Sequence, residues 1–354
     1  MRRVLSTALW LAAAVGASPV AAQTDHVLVI SGVSGEPRFA EAFHKWALSF
    51  MDALTDRHGV PAANIAYLAE RPARDAARIH GRSDRAGIEA AFQRLAQRAA
   101  PEDRVLVVLF GHGSEQDGEP RLNIPGPDLT ASDFARLLGT LRAREVALVH
   151  TGSASGGWIG KLSAPGRVVL TATRSGFEQN ETIFPEHFVA AYTGDGADTD
   201  KDGRVSLLEA FAYATHEVER AYKERNLLQS EHALLDDDGD GTGSPAPDPD
   251  AGDGALARVF VLAGTAARAA AAATPELRAL YETRQRLERN PRSTQSRSRR
   301  TLHQRALPRR RRRQRRRHGR ATSRAPWSAR FGSAMAGSAR FWTARAGVVR
   351  SAAS

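Results

Sequence analysis

The chain has 354 residues, a formal net charge of +11 and no cysteine. The lack of cysteine excludes disulfides, thiolate metal sites and a lipid-modified cysteine. The charge is uneven, because residues 289–354 contain 20 arginines and no Asp, Glu or Lys, which leaves a net charge of −9 for residues 1–288.

The first 22 residues have the pattern of a secretory signal peptide. Arg2 and Arg3 precede an apolar stretch at residues 4–15, which is too short to span a bilayer comfortably. Small residues at 20–22 are suitable for cleavage before Gln23. Since no longer apolar run follows, we expect no stable membrane anchor and a periplasmic or secreted protein.

Residues 23–275 alternate apolar strands with amphipathic helices. Strands are predicted at residues 26–30, 64–68, 104–110, 121–124, 145–150, 167–172 and 256–262. Helices are predicted at residues 39–57 and 85–99, from Thr130 onward, and at residues 207–226. This alternation predicts a three-layer α/β domain with a mostly parallel sheet.

Two polar motifs follow strands of this predicted sheet. Gly111-His112-Gly113 comes directly after the strand at residues 104–110, and Ser153 lies just beyond the strand at residues 145–150. Sheets of this kind bind ligands at the carboxyl ends of their strands. We therefore expect a cleft here that receives a peptide or protein ligand.

The order of these motifs resembles the caspase/legumain-like cysteine peptidases. In that family one strand ends at a His-Gly pair and a later strand at the nucleophilic cysteine, which is followed by x-Ser-Gly-Gly. The segments at residues 167–175 and 184–188 are also similar to the family, so the resemblance covers roughly residues 26–265. It implies a caspase-like fold and a catalytic role for His112.

One departure from that family concerns the nucleophile, since Ser153 occupies the position of the cysteine. A thiol titrates near neutrality, whereas an alcohol needs a base in close contact. The surrounding sequence also lacks the two flanking glycines of a hydrolase nucleophile elbow. A second histidine, His150, is interpreted as a structural residue at the same strand end.

Residues 198–209 match an EF-hand calcium loop. Gly203 stands at position 6, where the loop turns sharply, and a predicted helix follows the loop. The alternative interpretation is an acidic surface turn that caps this helix. The ligands that the pattern predicts for Ca²⁺ are Asp198, Asp200, Asp202, the Arg204 backbone carbonyl, Ser206 and Glu209.

A second acidic segment begins at Asp236. Asp236, Asp238 and Asp240 have the 1, 3, 5 spacing of a calcium loop, but Pro247 stands where the bidentate glutamate would be. Two interpretations stay open, a second calcium site and a solvated acidic loop.

The C-terminal part lacks the alternation of strands and helices predicted for residues 23–275. Residues 276–289 predict a charged amphipathic helix, whereas residues 290–354 are Arg-rich and lack hydrophobic periodicity. Three interpretations of the tail compete: a frameshifted reading of a GC-rich gene, a disordered tail without a role, and a basic arm for nucleic acid or another anionic surface. An exported protein meets little duplex DNA, which argues against nucleic acid.

The sequence thus predicts an exported, calcium-binding, caspase-like protein with a degenerate peptidase site. One alternative is an active peptidase or hydrolase, with Ser153 as nucleophile, His112 as acid/base and the backbone N–H of Gly113 as oxyanion donor. Another is a calcium-dependent scaffold that binds peptides in the strand-end cleft.

Overall fold

A seven-stranded sheet forms the centre of residues 23–263, which are the residues that this computed structural model describes. The predicted signal peptide at residues 1–22, the predicted helix at residues 276–289 and the Arg-rich tail at residues 290–354 lie outside the described residues.

The strands in chain order are β1 Asp25–Ser31, β2 Ile65–Ala69, β3 Gly81–Arg82, β4 Arg104–Phe110, β5 Gly113–Gln116, β6 Glu119–Leu122, β7 Leu129–Thr130, β8 Glu145–His150, β9 Arg167–Thr171 and β10 Leu234–Asp236. The helices are α1 Pro37–Asp56, α2 Arg85–Arg98, α3 Ala131–Leu138, α4 Ile159–Leu162, α5 Phe184–Thr193, α6 Leu207–Glu224 and α7 Ala255–Val259.

The central sheet has the strand order β10-β9-β8-β4-β1-β2-β3. All neighbouring pairs are parallel except β9 and β10, which are antiparallel. The short strands β5, β6 and β7 form a separate antiparallel sheet that begins directly after His112. The prediction of an α/β domain with a mostly parallel sheet is confirmed.

Helices cover both faces of the central sheet because its central strands are almost entirely apolar. Val27 and Val29 of β1 pack into a core with α1, α5 and α6, whereas Leu28 and Ile30 pack on the other face with α2 and α3. Successive side chains of a strand point to opposite faces, so a strand covered on both sides is apolar at every position. Within residues 23–263, no helix has the length and apolar composition needed to cross a membrane.

The prediction of a strand at residues 256–262 is wrong. Residues 255–259 form α7, and only Val261 makes an isolated bridge, to Ser206. The Asp237 carboxylate accepts hydrogen bonds from the backbone of Gly254 and Ala257, at 2.7 Å each, and so satisfies N–H groups at the start of the helix. Instead, β10 pairs with β9 and occupies that edge of the sheet.

Candidate functional site

The loops that follow β4 and β8 meet at the carboxyl edge of the sheet, because the two strands are parallel neighbours. A Cβ atom added to Gly113 would lie 2.2 Å from the Ser153 carbonyl oxygen, and one added to Gly152 would lie 1.9 Å from the Gly111 carbonyl oxygen. The two loops therefore approach backbone to backbone, at a distance that only glycine permits.

Ser153 is held against Gly113 at this crossing. Its side chain is 5% exposed, and its Oγ lies 3.4 Å from both the backbone nitrogen and the carbonyl oxygen of Gly113. Ala154, the next residue, has a φ of +53°, which a non-glycine residue adopts only at an energetic cost. The geometry therefore brings the predicted nucleophile position next to the predicted oxyanion donor.

His112 lies at the end of the neighbouring strand with its ring in an aromatic environment. The ring contacts Phe39 edge-on, at 4.4 Å between centroids, and Phe43 at 5.3 Å. Burial lowers the pKa of the imidazole below its ordinary 6.5, which favours the neutral ring. Within residues 23–263, no hydrogen bond joins this ring to Ser153, so the serine lacks the contact with a base that activates an alcohol.

A charged pair next to the His112 pocket is a feature that the sequence did not predict. Arg38, at the start of α1, donates to Glu181 at 2.9 Å and to Glu36 at 2.9 Å. Its guanidinium lies 4.1 Å from the centre of the Phe39 ring, and Glu181 lines the same pocket as His112. Because 143 positions separate Arg38 and Glu181, only the fold brings them together.

A cavity of about 400 Å³ lies beside this pocket, between α1 and the ends of β1 and β2. Ser31 and Tyr67 share a hydrogen bond of 3.1 Å at its wall, and His44 Nδ1 lies 3.4 Å from the Tyr67 hydroxyl. Arg71 and Arg74 line the cavity as well. The carboxyl edge of the sheet therefore has room for a ligand next to polar and cationic groups.

His150, at the end of β8, is a core residue. It is fully buried, its ring packs edge-on against Trp158 at 4.5 Å, and its Nδ1 accepts a hydrogen bond from the Gly152 N–H at 3.2 Å. Burial lowers the pKa of His150 to about 3, so the imidazole is neutral at physiological pH. The arrangement agrees with the structural role that the sequence predicted.

The predicted calcium loop brings three carboxylates together. Asp198, Asp200 and Asp202 each offer one oxygen, and these oxygens lie within 4.8 Å of one another. Lys201 and Gly203 have φ angles of +58° and +80°, which fold the loop around them. Like charges at such distances repel, and hard oxygen donors are the ligands that Ca²⁺ takes, so the donor set fits this ion.

Glu209, the predicted twelfth ligand, lies outside this group of three. One of its oxygens accepts from the Thr199 N–H at 2.9 Å, and the other accepts from the Ser206 N–H at 2.9 Å. Ser206 Oγ in turn accepts from the Glu209 N–H, which completes a capping box at the start of α6. Glu209 therefore ties the beginning of the loop to its end, while Arg204 donates its backbone N–H to Asp202.

The second acidic segment also forms a cluster. Asp236, Asp238 and Asp240 offer oxygens that lie within 4.8 Å of one another. Asp236 is buried at the end of β10, and the other two are exposed.

Comparisons with known proteins give little beyond the fold. No family model matches the chain, and no curated protein matches it. One solved structure that matches is caspase-1 from Spodoptera frugiperda, with 7% sequence identity and a TM-score of 0.38. That match covers 61% of this chain and 87% of the caspase chain, and at this level of similarity it assigns no activity.

Proposed function

We propose that this chain is an exported calcium-binding protein, built on a caspase-like fold, whose peptidase site is degenerate. The observation that carries the proposal is the position of Ser153. It stands beside Gly113 at the crossing of the two strand-end loops, where the resemblance implies a cysteine, and it makes no hydrogen bond to His112 within the described residues. An alcohol in that setting is a poor nucleophile.

Calcium at residues 198–209 is proposed to act as an ordering ion. The loop directly precedes α6, a long helix that packs against α5 and the core. An ion that binds only the folded loop stabilises the native state by an amount that grows with the logarithm of its concentration above the dissociation constant. Because exported proteins meet millimolar calcium, a weak site is sufficient.

A second candidate function is an active hydrolase. It is favoured by the short distance of 3.4 Å between the Gly113 backbone nitrogen and Ser153 Oγ, which places an N–H donor beside the nucleophile position, and by the strained backbone at Ala154. Strain of this kind is concentrated at active sites. In this alternative Ser153 is the nucleophile, His112 the acid/base and Gly113 the oxyanion donor.

A third candidate is a module that binds peptides without cleaving them. The cavity of about 400 Å³ and the Arg38–Glu181 pair beside His112 provide apolar, cationic and anionic contacts along one edge of the sheet. Such a surface can bind an extended peptide whether or not the catalytic groups function.

One experiment separates these functions. Wild type, His112→Ala and Ser153→Cys, each beginning at Gln23, are incubated with a mixed peptide library in calcium or in EDTA, and products are identified by mass spectrometry. A degenerate site predicts no cleavage by wild type. Cleavage by wild type that disappears in His112→Ala would establish the hydrolase instead. Retention of library peptides without cleavage would support the binding module.

A further inference from the structure

The acidic cluster formed by Asp236, Asp238 and Asp240 contains a buried carboxylate oxygen without a partner. Asp236 is fully buried, and its Oδ2 forms no hydrogen bond to any other of the described residues. Its Oδ1 accepts from the Gly239 N–H, at 3.3 Å. Burial of a carboxylate oxygen without a hydrogen bond or counter-charge is costly, so such an atom points to a missing partner.

No protein cation fills this need. Within residues 23–263, no Lys, Arg or His side chain forms an ion pair with any of the three aspartates. Burial raises the pKa of Asp236, and the nearby Asp238 and Asp240 add to this effect, whereas the Ser163 hydroxyl opposes it. Ser163 leaves Oδ2 without a hydrogen bond of ordinary geometry, and its own oxygen accepts one from the Gly241 N–H.

The backbone of this segment repeats that of the calcium loop at residues 198–209. Positions 4 and 6 have positive φ in both, at +58° and +80° in the first loop and at +84° for Gly239 and +81° for Gly241 in the second. The N–H of Asp240 donates to Asp238 at 3.0 Å, as the N–H of Asp202 donates to Asp200 at 3.2 Å. Both backbones therefore present their aspartates to a common centre.

We propose that Asp236, Asp238 and Asp240 bind a second divalent cation, and that this ion is calcium. Three carboxylates form a hard, anionic donor set, which suits Ca²⁺ better than softer metals. The cation would also supply the counter-charge that the buried Asp236 oxygen lacks. Since Pro247 replaces the bidentate glutamate, backbone carbonyls and water complete the coordination.

This second site is connected to the first through the C-terminal part of the described chain. Asp237, within the same segment, holds the start of α7 through Gly254 and Ala257. Directly after α7, Val261 bridges to Ser206, and Leu207 donates to the Phe260 carbonyl at 3.0 Å. Filling the second site therefore also fixes the segment that contacts the end of the first loop.

Calcium titration of the metal-free full-length chain tests the proposal. In an Asp200→Asn/Asp202→Asn background, which disables the first loop, isothermal titration is expected to give one bound Ca²⁺. Adding Asp238→Asn/Asp240→Asn should weaken that binding at least tenfold. Adding Asp248→Asn/Asp250→Asn, two exposed aspartates of the same segment outside the cluster, should leave it unchanged.

The outcomes distinguish this proposal from the calcium site of the proposed function. Wild type that binds one Ca²⁺, with none bound in the Asp200→Asn/Asp202→Asn background up to millimolar calcium, would overturn the second site and leave the first intact. Wild type that binds only one Ca²⁺, with the same binding retained in the Asp200→Asn/Asp202→Asn background, would support the second site and remove the first. Hydrogen exchange supplies another readout, since calcium is expected to slow exchange at Gly254 and Ala257 in that background, and unchanged exchange would contradict the proposal.

Discussion

The side-chain oxygen of Ser153 lies 3.4 Å from the backbone nitrogen of Gly113, so the loops that end β8 and β4 are in direct contact at the candidate site. This contact requires a glycine at position 113, because any Cβ there would overlap the Ser153 carbonyl oxygen. A backbone atom cannot move aside as the end of a flexible side chain can.

Gly113→Ala is therefore expected to lower the free energy of unfolding by about 2–3 kcal/mol, as overpacking against backbone does. Gly160→Ala is the control, because a Cβ at this exposed helical position has nothing within 4 Å. That change should be neutral or stabilise by up to about 1 kcal/mol. Urea denaturation measures both, and equal stabilities of the two variants would refute the close approach.

Glu209→Gln separates the two roles of the Glu209 side chain. Glutamine can keep the capping-box acceptor for the Ser206 N–H but cannot also accept from the Thr199 N–H, so stability in EDTA should fall by about 1 kcal/mol, the cost of one hydrogen bond. The calcium response of the loop should be lost, because an amide cannot provide the bidentate carboxylate.

Thermal unfolding in EDTA and in calcium tests this prediction. Calcium at 100 times the dissociation constant of a site stabilises the native state by about 2.7 kcal/mol. The calcium-dependent stabilisation lost in Glu209→Gln should be of this size. Asp133→Asn alters the corresponding capping box of α3, far from both acidic clusters in sequence, and should leave the calcium response intact. A wild-type response in Glu209→Gln would contradict calcium binding at residues 198–209.

His150 should make the protein sensitive to acid. Its pKa is about 3 in the folded state and near 6.5 when unfolded, so its contribution to stability is complete above pH 6.5 and is lost as pH falls toward 3. The loss at pH 5 amounts to about 2 kcal/mol. His150→Asn keeps an acceptor for the Gly152 N–H but cannot titrate, so its stability should fall less between pH 6.5 and pH 5. Denaturant unfolding across this pH range measures the difference, and parallel curves would contradict it.

Glu231 is expected to give the opposite pH dependence, so that its contribution to stability falls as pH rises. It is buried beneath the start of α5, where it accepts hydrogen bonds from the N–H groups of Ile183 and Phe184, and burial raises its pKa to about 6. An acid with a raised folded pKa stabilises the fold fully below its unfolded value of 4.5, and this contribution is lost as pH rises through 6. The difference is about 2 kcal/mol.

The measurement for Glu231 is the stability of wild type minus that of Glu231→Gln, followed from pH 4.5 to pH 7. This difference should fall as pH rises through 6. Glu217→Gln serves as the comparison, because Glu217 is a partly buried glutamate that pairs with Arg220 on α6 and its pKa is lowered rather than raised. A difference curve for Glu231 that is flat over this interval would refute the assignment.

The central strands could be predicted from sequence because their environment dictates their composition. β4 and β8 are apolar along nearly their whole length, as strands covered by helices on both faces must be. The start of α3 could also be predicted from sequence, since Thr130 and Asp133 form the capping box that their spacing predicts. Apolar composition and capping-box spacing each depend on residues close together in the chain, so they can be recognised without knowing the tertiary contacts.

The features that could not be predicted depend on contacts between distant parts of the chain. Residues 255–259 are apolar enough for a strand, but the Asp237 carboxylate, about 20 positions earlier, holds them as a helix. The Arg38–Glu181 pair likewise joins the start of α1 to a loop 143 positions later in the chain. Glu209 illustrates a third case, because the EF-hand pattern assigns it to a metal while the same residue also satisfies a capping-box pattern.

The central sheet ends in very short strands at both edges. β3 has two residues, and β10 has three and leads directly into the aspartates at positions 236–240. Long, flat and uncharged edges offer unpaired backbone groups to strands of other molecules and so promote aggregation. Here β3 is brief, and the backbone N–H and C=O of Leu235 in β10 exchange two hydrogen bonds with Ser244, at 3.0 and 2.8 Å. The segment after β10 thus leaves that edge of the sheet little free backbone with which a strand of another molecule could pair, whether or not the aspartates hold an ion.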